Sequence, residues 1–174
     1  MLTKKLEKAL NEQMELESYA TFLYLSMASW FDGAGMEGCS QFMFRQSEEE
    51  KEHMLRIYHY ILEMDGKAII PGIKQPPSKF KSARDIFKSV YVHEQKVTKS
   101  INNLVDLSNK ENHHATFNFL QWYVTEQMEE EALMRGILDR IKLIGNGPQS
   151  LYYIDKEIEK INQAEATKES ETGA

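Results

Sequence analysis

Ser47-Glu48-Glu49-Glu50-Lys51-Glu52-His53 lies in the middle of a stretch whose apolar residues recur every three or four positions. Phe42, Gln46, Glu50, His53, Ile57, Tyr60 and Met64 fall on one stripe of a helix, so Glu50 and His53 point where a core should be. A carboxylate buried in an apolar seam is costly unless something of opposite charge compensates it. One turn apart, a carboxylate and an imidazole can hold the same cation. A single Glu-x-x-His pair is weak evidence, because surface helices carry many of them, and the other helices decide what this one means.

Upstream, a helix A is predicted from the N-cap Thr3 to Phe31, ended by Asp32-Gly33-Ala34-Gly35. Its inner stripe is Leu6, Leu10, Gln13, Glu17, Ala20, Tyr24, Met27 and Phe31, and Glu17 again interrupts a seam. A second apolar set, Leu16, Tyr19, Leu23 and Trp30, exceeds what one bundle core needs and is read as a subunit interface. Helix B runs from about Gly38 to Met64. Residues 65–81 hold three of the four prolines and form a connection far longer than an ordinary helix-helix turn. Extended, they span ~50 Å at ~3.3 Å per residue, against ~40 Å for a helix of this length at 1.5 Å per residue. The connection therefore runs the length of a bundle and leaves helix C parallel to helix B.

Helix C is expected from about Ser82 to Ser108, with Ala83, Phe87, Val90, Glu94, Val97, Ile101 and Leu104 inward. Helix D follows Asn109-Lys110-Glu111-Asn112 and turns Thr116, Leu120, Tyr123, Gln127, Glu130, Met134, Ile137 and Ile141 inward. After Gly145-Asn146-Gly147-Pro148, a short fifth helix spans Gln149 to Ile161. The expectation is an all-α domain, residues 1–162, followed by a polar, disordered tail, 163–174.

The polar interruptions follow an arithmetic. Adding 77 to positions 17, 50 and 53 gives Glu94, Gln127 and Glu130, so the second hairpin repeats the spacing of the first. The midpoint of 17 and 50 is 33.5, in the first turn, and that of 94 and 127 is 110.5, in the second. Folding each hairpin at its turn brings Glu17, Glu50, His53, Glu94, Gln127 and Glu130 into one slice of the core. The four glutamates carry four negative charges, which two divalent cations neutralise and an empty site would leave repelling. Carboxylate oxygens with one imidazole and no sulfur suit iron or manganese better than a structural zinc.

Composition narrows the class of function. At 174 residues, 41% hydrophobic and 28% charged, the chain suits one domain with a large core. A net charge of -6 and no basic tract argue against a nucleic-acid partner. Cys39 is the only cysteine, which excludes an intrachain disulfide and fits a reducing, cytoplasmic compartment. No apolar leader and no membrane span is legible.

Glu17 with Tyr24, the Glu50-x-x-His53 pair, Glu94, and the block Glu126-Gln127-Met128-Glu129-Glu130 together resemble the ferritins, and among them the non-haem bacterial ferritins, from Leu2 to about Ile161. The resemblance implies a ferritin-like four-helix bundle with one long B-C crossover and a short C-terminal helix. It implies one iron held by Glu17, Glu50 and His53 and a second by Glu50, Glu94 and Glu130, with Glu50 bridging and Gln127 as a hydrogen-bonding or weak ligand. A third iron position would use Glu49, Glu126, Glu129 and Glu130, and Tyr24 would match the tyrosine that lends an electron at the site. The activity implied is a ferroxidase: Fe(II) is oxidised by O2 or H2O2 and stored as ferric oxyhydroxide in a hollow shell of twenty-four identical subunits.

Three relatives of that family fit less well. A haem-containing bacterioferritin resembles Glu-Met-x-His on helix B and Glu-x-x-His on helix D, where this chain has Lys51 after Glu50 and Gln127-x-x-Glu130, so no haem is expected. A DNA-protecting mini-ferritin lacks the fifth helix, places its ligands between subunits and often carries a basic tail, unlike the intrachain repeat and acidic tail here. Rubrerythrin-like peroxidases add a cysteine-rich iron domain that one cysteine cannot build.

Overall fold

In the computed structural model the backbone is described for residues 1–172 and side chains as far as residue 168. The described residues form five helices: α1 (Lys4–Gly33), α2 (Glu37–Glu63), α3 (Ala83–Lys110), α4 (His114–Ile144) and α5 (Ser150–Thr172). Thr3 and Ser82 cap α1 and α3 as N-cap residues do, their hydroxyl oxygens accepting from the amides of Leu6 and Asp85. Three helices end the same way. A residue in the left-handed region, Gly35, Asp65 or Asn112, lets the next amide reach back to the carbonyl of Phe31, Ile61 or Ser108 at 3.0, 2.8 and 2.8 Å.

The α2–α3 connection crosses the length of α1, as its reach requires. Lys67 N donates to Glu7 Oε2, Ile69 N donates to Asn11 Oδ1, Ser26 Oγ donates to the carbonyl of Pro77, and the Phe80 ring stands edge-on to Trp30. The chain thus returns to the α1 C-terminus before α3 begins, and α3 lies parallel to α2. Phe87 near the start of α3 accordingly meets Phe31 at the end of α1 and Phe42 near the start of α2.

The apolar interior divides into two clusters. One surrounds Tyr24, Met27, Phe31, Phe42, Phe87, Val90 and Met134; the other surrounds Leu10, Met14, Ile57, Val97, Leu120 and Tyr123. On every helix of the bundle the break between them falls at the polar positions: Glu17 between Met14 and Ala20, Glu50 between Met43 and Ile57, Glu94 between Val90 and Val97, and Gln127 and Glu130 between Tyr123 and Met134.

Two expectations change. The second apolar set of α1 serves the chain itself in part: Leu23 is buried, while Leu16, Tyr19 and Trp30 stay half-buried, Tyr19 packing on the His93 ring and Trp30 against Phe31 and Phe80. The long crossover covers that flank, and the exposed apolar side chains of α1 are instead Phe22 and Leu25, 47% and 41% accessible. The polar stretch expected to be disordered is helical as far as Thr172, while residues 173 and 174 lie outside the described ones. Ala164, Glu165, Ala166 and Lys168 are strong helix formers, and Lys168 pairs with Glu165 one turn earlier at 2.7 Å.

α5 is the shortest of the five helices and runs alongside α2. Its Asp155 accepts a hydrogen bond from the amide of Cys39 at 2.9 Å, in the first turn of α2, where the N-cap residue Met36 offers no side-chain acceptor. Arg45 donates to Asn162 at 2.7 Å two turns further on. Gly38 makes this approach possible, since a Cβ there would stand 2.5 Å from the carbonyl oxygen of Asp155.

Candidate metal centre

Glu17, Glu50, His53, Glu94, Gln127 and Glu130 are all buried, and the fold brings them to one level. Two cross-links define that level. Tyr24 on α1 donates to Glu94 Oε1 on α3, and Tyr123 on α4 donates to the carbonyl of His53 on α2 at 2.7 Å.

Within the slice, Glu17, Glu50 and His53 can each present a ligand atom such that the three lie within 4.8 Å of one another. That is close enough for one cation to touch all of them. His53 Nδ1 stands 3.4 Å from Glu50 Oε2, and its ring is wedged edge-on against Trp122 at 5.3 Å between centroids. Glu17 is oriented by Gln13, whose amide donates to Oε1 at 2.8 Å, while the buried Oε2 has no hydrogen-bond partner. Glu130 Oε2 is likewise buried and unpartnered. Orphaned carboxyl oxygens of this kind are rare in folded proteins unless a cation or water completes them.

The second set is less tightly gathered. Among the described residues, Glu50, Glu94 and Glu130 do not form a group as close as the first. Protein partners hold two of them apart. Glu94 accepts from Tyr24 through Oε1 and from Gln127 Nε2 through Oε2 at 3.1 Å, and Gln46 reaches Glu130 Oε1 at 3.5 Å. Gln127 is thus a hydrogen-bond donor at the site, and it also lies 3.4 Å from Thr98 Oγ1.

Burial holds the carboxyls of Glu17, Glu50 and Glu130 well above the usual carboxylate range, and neighbouring negative charge adds to it: Glu50 acts most on Glu17, and Glu94 acts most on both Glu50 and Glu130. Burial also raises Glu94, opposed by its bonds from Tyr24 and Gln127. Tyr24 is raised by burial and then by the Glu94 charge, so its phenol keeps its proton. Four buried acids of the same sign are a site that binds cations by releasing protons.

Glu49, Glu126 and Glu129 lie outside the slice, as a one-residue step of ~100° around a helix requires. With Glu130 and His53 they line a cavity of about 940 Å³ between α2 and α4, which therefore opens onto the slice from one side. His53 Nε2 is 3.9 Å from Glu126 Oε1, and Arg45 Nη1 is 3.1 Å from Glu49 Oε2. Glu165 and Lys168 of α5 also line this cavity.

Sequence reasoning left Gln13 and Gln46 without a role, although both sit on the inner stripes one turn before Glu17 and Glu50. Their signal was a polar residue in an apolar seam beside a polar interruption. The part played by Asp155 and Asn162 had no periodic signal at all.

Comparison with known proteins places this geometry in context. Residues 7–144 match the family model described as a ferritin-like domain. A "Bacterial non-heme ferritin" of Campylobacter jejuni subsp. jejuni is 47% identical over 161 residues, 92% of this chain and 96% of that protein. One of Escherichia coli O6:H1 is 38% identical over 162 residues, 93% and 98% of the two chains. Among solved structures, an open pore ferritin of the hyperthermophilic archaeon Archaeoglobus fulgidus superposes with a TM-score of 0.88 at 41% identity, covering 91% of this chain and 98% of that one. With a bundle split by a buried acidic slice and relatives this similar along nearly all of its length, the chain belongs to the ferritin family and, within it, to the bacterial non-haem ferritins.

Proposed function

We propose that this chain oxidises Fe(II) in pairs within the polar slice, using dioxygen or hydrogen peroxide, and stores the Fe(III) as ferric oxyhydroxide inside a hollow shell of twenty-four identical cytoplasmic subunits. The observation that carries the reading is the grouping of Glu17, Glu50 and His53 in a buried seam, their ligand atoms within 4.8 Å, beside carboxylate oxygens that lack protein partners.

Iron is the substrate here. Glu17, Glu50 and His53 hold one Fe(II) and Glu50, Glu94 and Glu130 the other, so Glu50 serves both; Gln127 steers Glu94 by its hydrogen bond. Each Fe(II) gives up one electron, and a pair supplies the two that reduce dioxygen to peroxide or peroxide to water. Hard carboxylate oxygens favour Fe(III) over Fe(II), which helps drive the step. Tyr24, whose hydroxyl donates to Glu94, would give a further electron to the oxidant, pass its proton to Glu94 and be reduced again by a later Fe(II).

Glu49, Glu126 and Glu129, with Glu130, take a third iron on its way from the pair to the mineral. The cavity that these residues line supports this, because it adjoins the slice. Haem has no part in the reading, since Lys51 rather than methionine follows Glu50.

The test loads the metal-free protein anaerobically with Fe(II), admits air, and follows ferric absorbance together with particle size. Two irons per chain should oxidise rapidly in the wild type. Glu50→Ala should fold and lose that fast phase; an unchanged initial rate would show that the pair sits elsewhere.

A further inference from the structure

Gln46 joins the slice to the acidic cavity and is used by neither in the scheme above. It is only 3% accessible, one turn before Glu50 on α2. Its amide nitrogen donates to Glu49 Oε2 and also lies 3.5 Å from Glu130 Oε1. Glu49 belongs to the cavity, whereas Glu130 belongs both to the cavity and to the slice. One –NH2 group therefore stands next to both of the acceptors that a flanking cation would take together. Arg45 supports Glu49 at 3.1 Å, and the other oxygen of Glu130 is buried with no partner.

We infer that Gln46 is a positioning residue whose amide stands between Glu49 and Glu130 in place of a cation, and so weakens the flanking iron position relative to the dinuclear one. The inference rests on the proposed third iron position. Ionised carboxylates accept hydrogen bonds and cations with the same lone pairs. A cation bridging Glu49 Oε2 and Glu130 Oε1 must displace the amide, and Gln46 must then swing away or turn its carbonyl oxygen toward the metal. Glu17 takes its hydrogen bond from Gln13 instead, so the Glu17, Glu50 and His53 position lies outside this competition, which falls most on the flanking position because Gln46 touches both of its acceptors there. A site loaded only against such competition passes iron onward and retains little of it, which suits a position between an oxidation centre and a mineral.

The test titrates the assembled, metal-free protein with Zn(II) in a calorimeter at neutral pH, comparing wild type, Gln46→Met, Gln46→Glu, and Glu49→Ala/Glu126→Ala/Glu129→Ala. Zn(II) is redox-inert, so the readout is independent of oxidation. Wild type should show two tighter ions and one weaker ion per chain, and the triple variant should lose the weaker one. Gln46→Met keeps the side-chain length and removes the N–H groups. It should tighten the weaker class about tenfold, the size expected when a hydrogen bond to a charged acceptor no longer competes, and leave the ion held by Glu17, Glu50 and His53 unchanged. Gln46→Glu keeps the shape of the amide, removes the donor and adds a ligand, and should tighten the weaker class at least as much. A merely structural Gln46 would, on replacement, weaken both classes or lower the melting temperature without tightening either. A weaker class with wild-type or lower affinity in Gln46→Met overturns the inference while leaving the third position in place, whatever the added carboxylate of Gln46→Glu does. A weaker class that is missing from wild type, or that survives in the triple variant, overturns the third position and the inference with it.

Discussion

At the scale of single residues, the buried acids make a prediction whose sign runs opposite to the usual one for a carboxylate. Glu17, Glu50 and Glu130 titrate in the folded chain well above their unfolded values, so the stability they contribute is full below about pH 4.3 and is lost as pH rises through the folded values. The metal-free protein should therefore become less stable between about pH 5 and pH 8 by this contribution, and a bound divalent cation should restore it. Saturating Zn(II) is expected to raise the melting temperature more at pH 8 than at pH 5.5, and scanning calorimetry with and without the metal checks it; equal increments at both values would contradict it. Gln13 offers a second check. Gln13→Met removes the donor to Glu17 Oε1, and leaving that buried oxygen unpaired should cost about 1–3 kcal/mol in the metal-free state. Metal should recover most of the loss, because Glu17 then has a cation to bind.

At the scale of elements, α5 completes α2. Met36 precedes α2 without a capping side chain, and Asp155 supplies the missing acceptor from a helix more than a hundred residues away in sequence. Asp155→Ala should cost about 0.5–2 kcal/mol, as the loss of a cap does, and hydrogen exchange should quicken in the first turn of α2 and in α5 together. Gly38→Ala should disturb the same contact, because its Cβ would stand 2.5 Å from the Asp155 carbonyl. If exchange quickened in α5 alone, the capping role would be wrong. The end of α5 also reaches the proposed third iron position, since Glu165 and Lys168 line the same cavity as Glu129.

At the scale of the whole molecule, the apolar side chains left open along α1 and its crossover include Phe22 and Leu25 on α1 and Ile69 and Ile70 on the crossover, the last two 57% and 73% accessible. Open apolar side chains on neighbouring elements are a ready surface for a second copy. Phe22→Glu/Leu25→Glu should shift the sedimentation profile from a large particle toward species of a few subunits, with far-ultraviolet circular dichroism unchanged; a profile identical to wild type would place the contact elsewhere.

The bundle, the crossover and the level of the polar slice were legible from the sequence, because helical periodicity is local and the repeat of 77 residues ties two hairpins to one register. Glu17, Glu50 and His53 could be placed together by counting residues from the turns. Tertiary structure alone decided how each acid is held: Glu94 by Tyr24 and Gln127, Glu130 and Glu49 by one amide of Gln46, Glu17 by Gln13. Those choices depend on side-chain rotamers and on which neighbour reaches first, and neither is encoded in spacing. The polar end of α5 read as a tail for a related reason. Its helix lies along α2 through contacts such as Arg45 with Asn162, just before that stretch, and a sequence pattern carries no trace of a partner 117 positions distant, while the local helix formers Ala164, Glu165, Ala166 and Lys168 continue the helix that contact anchors.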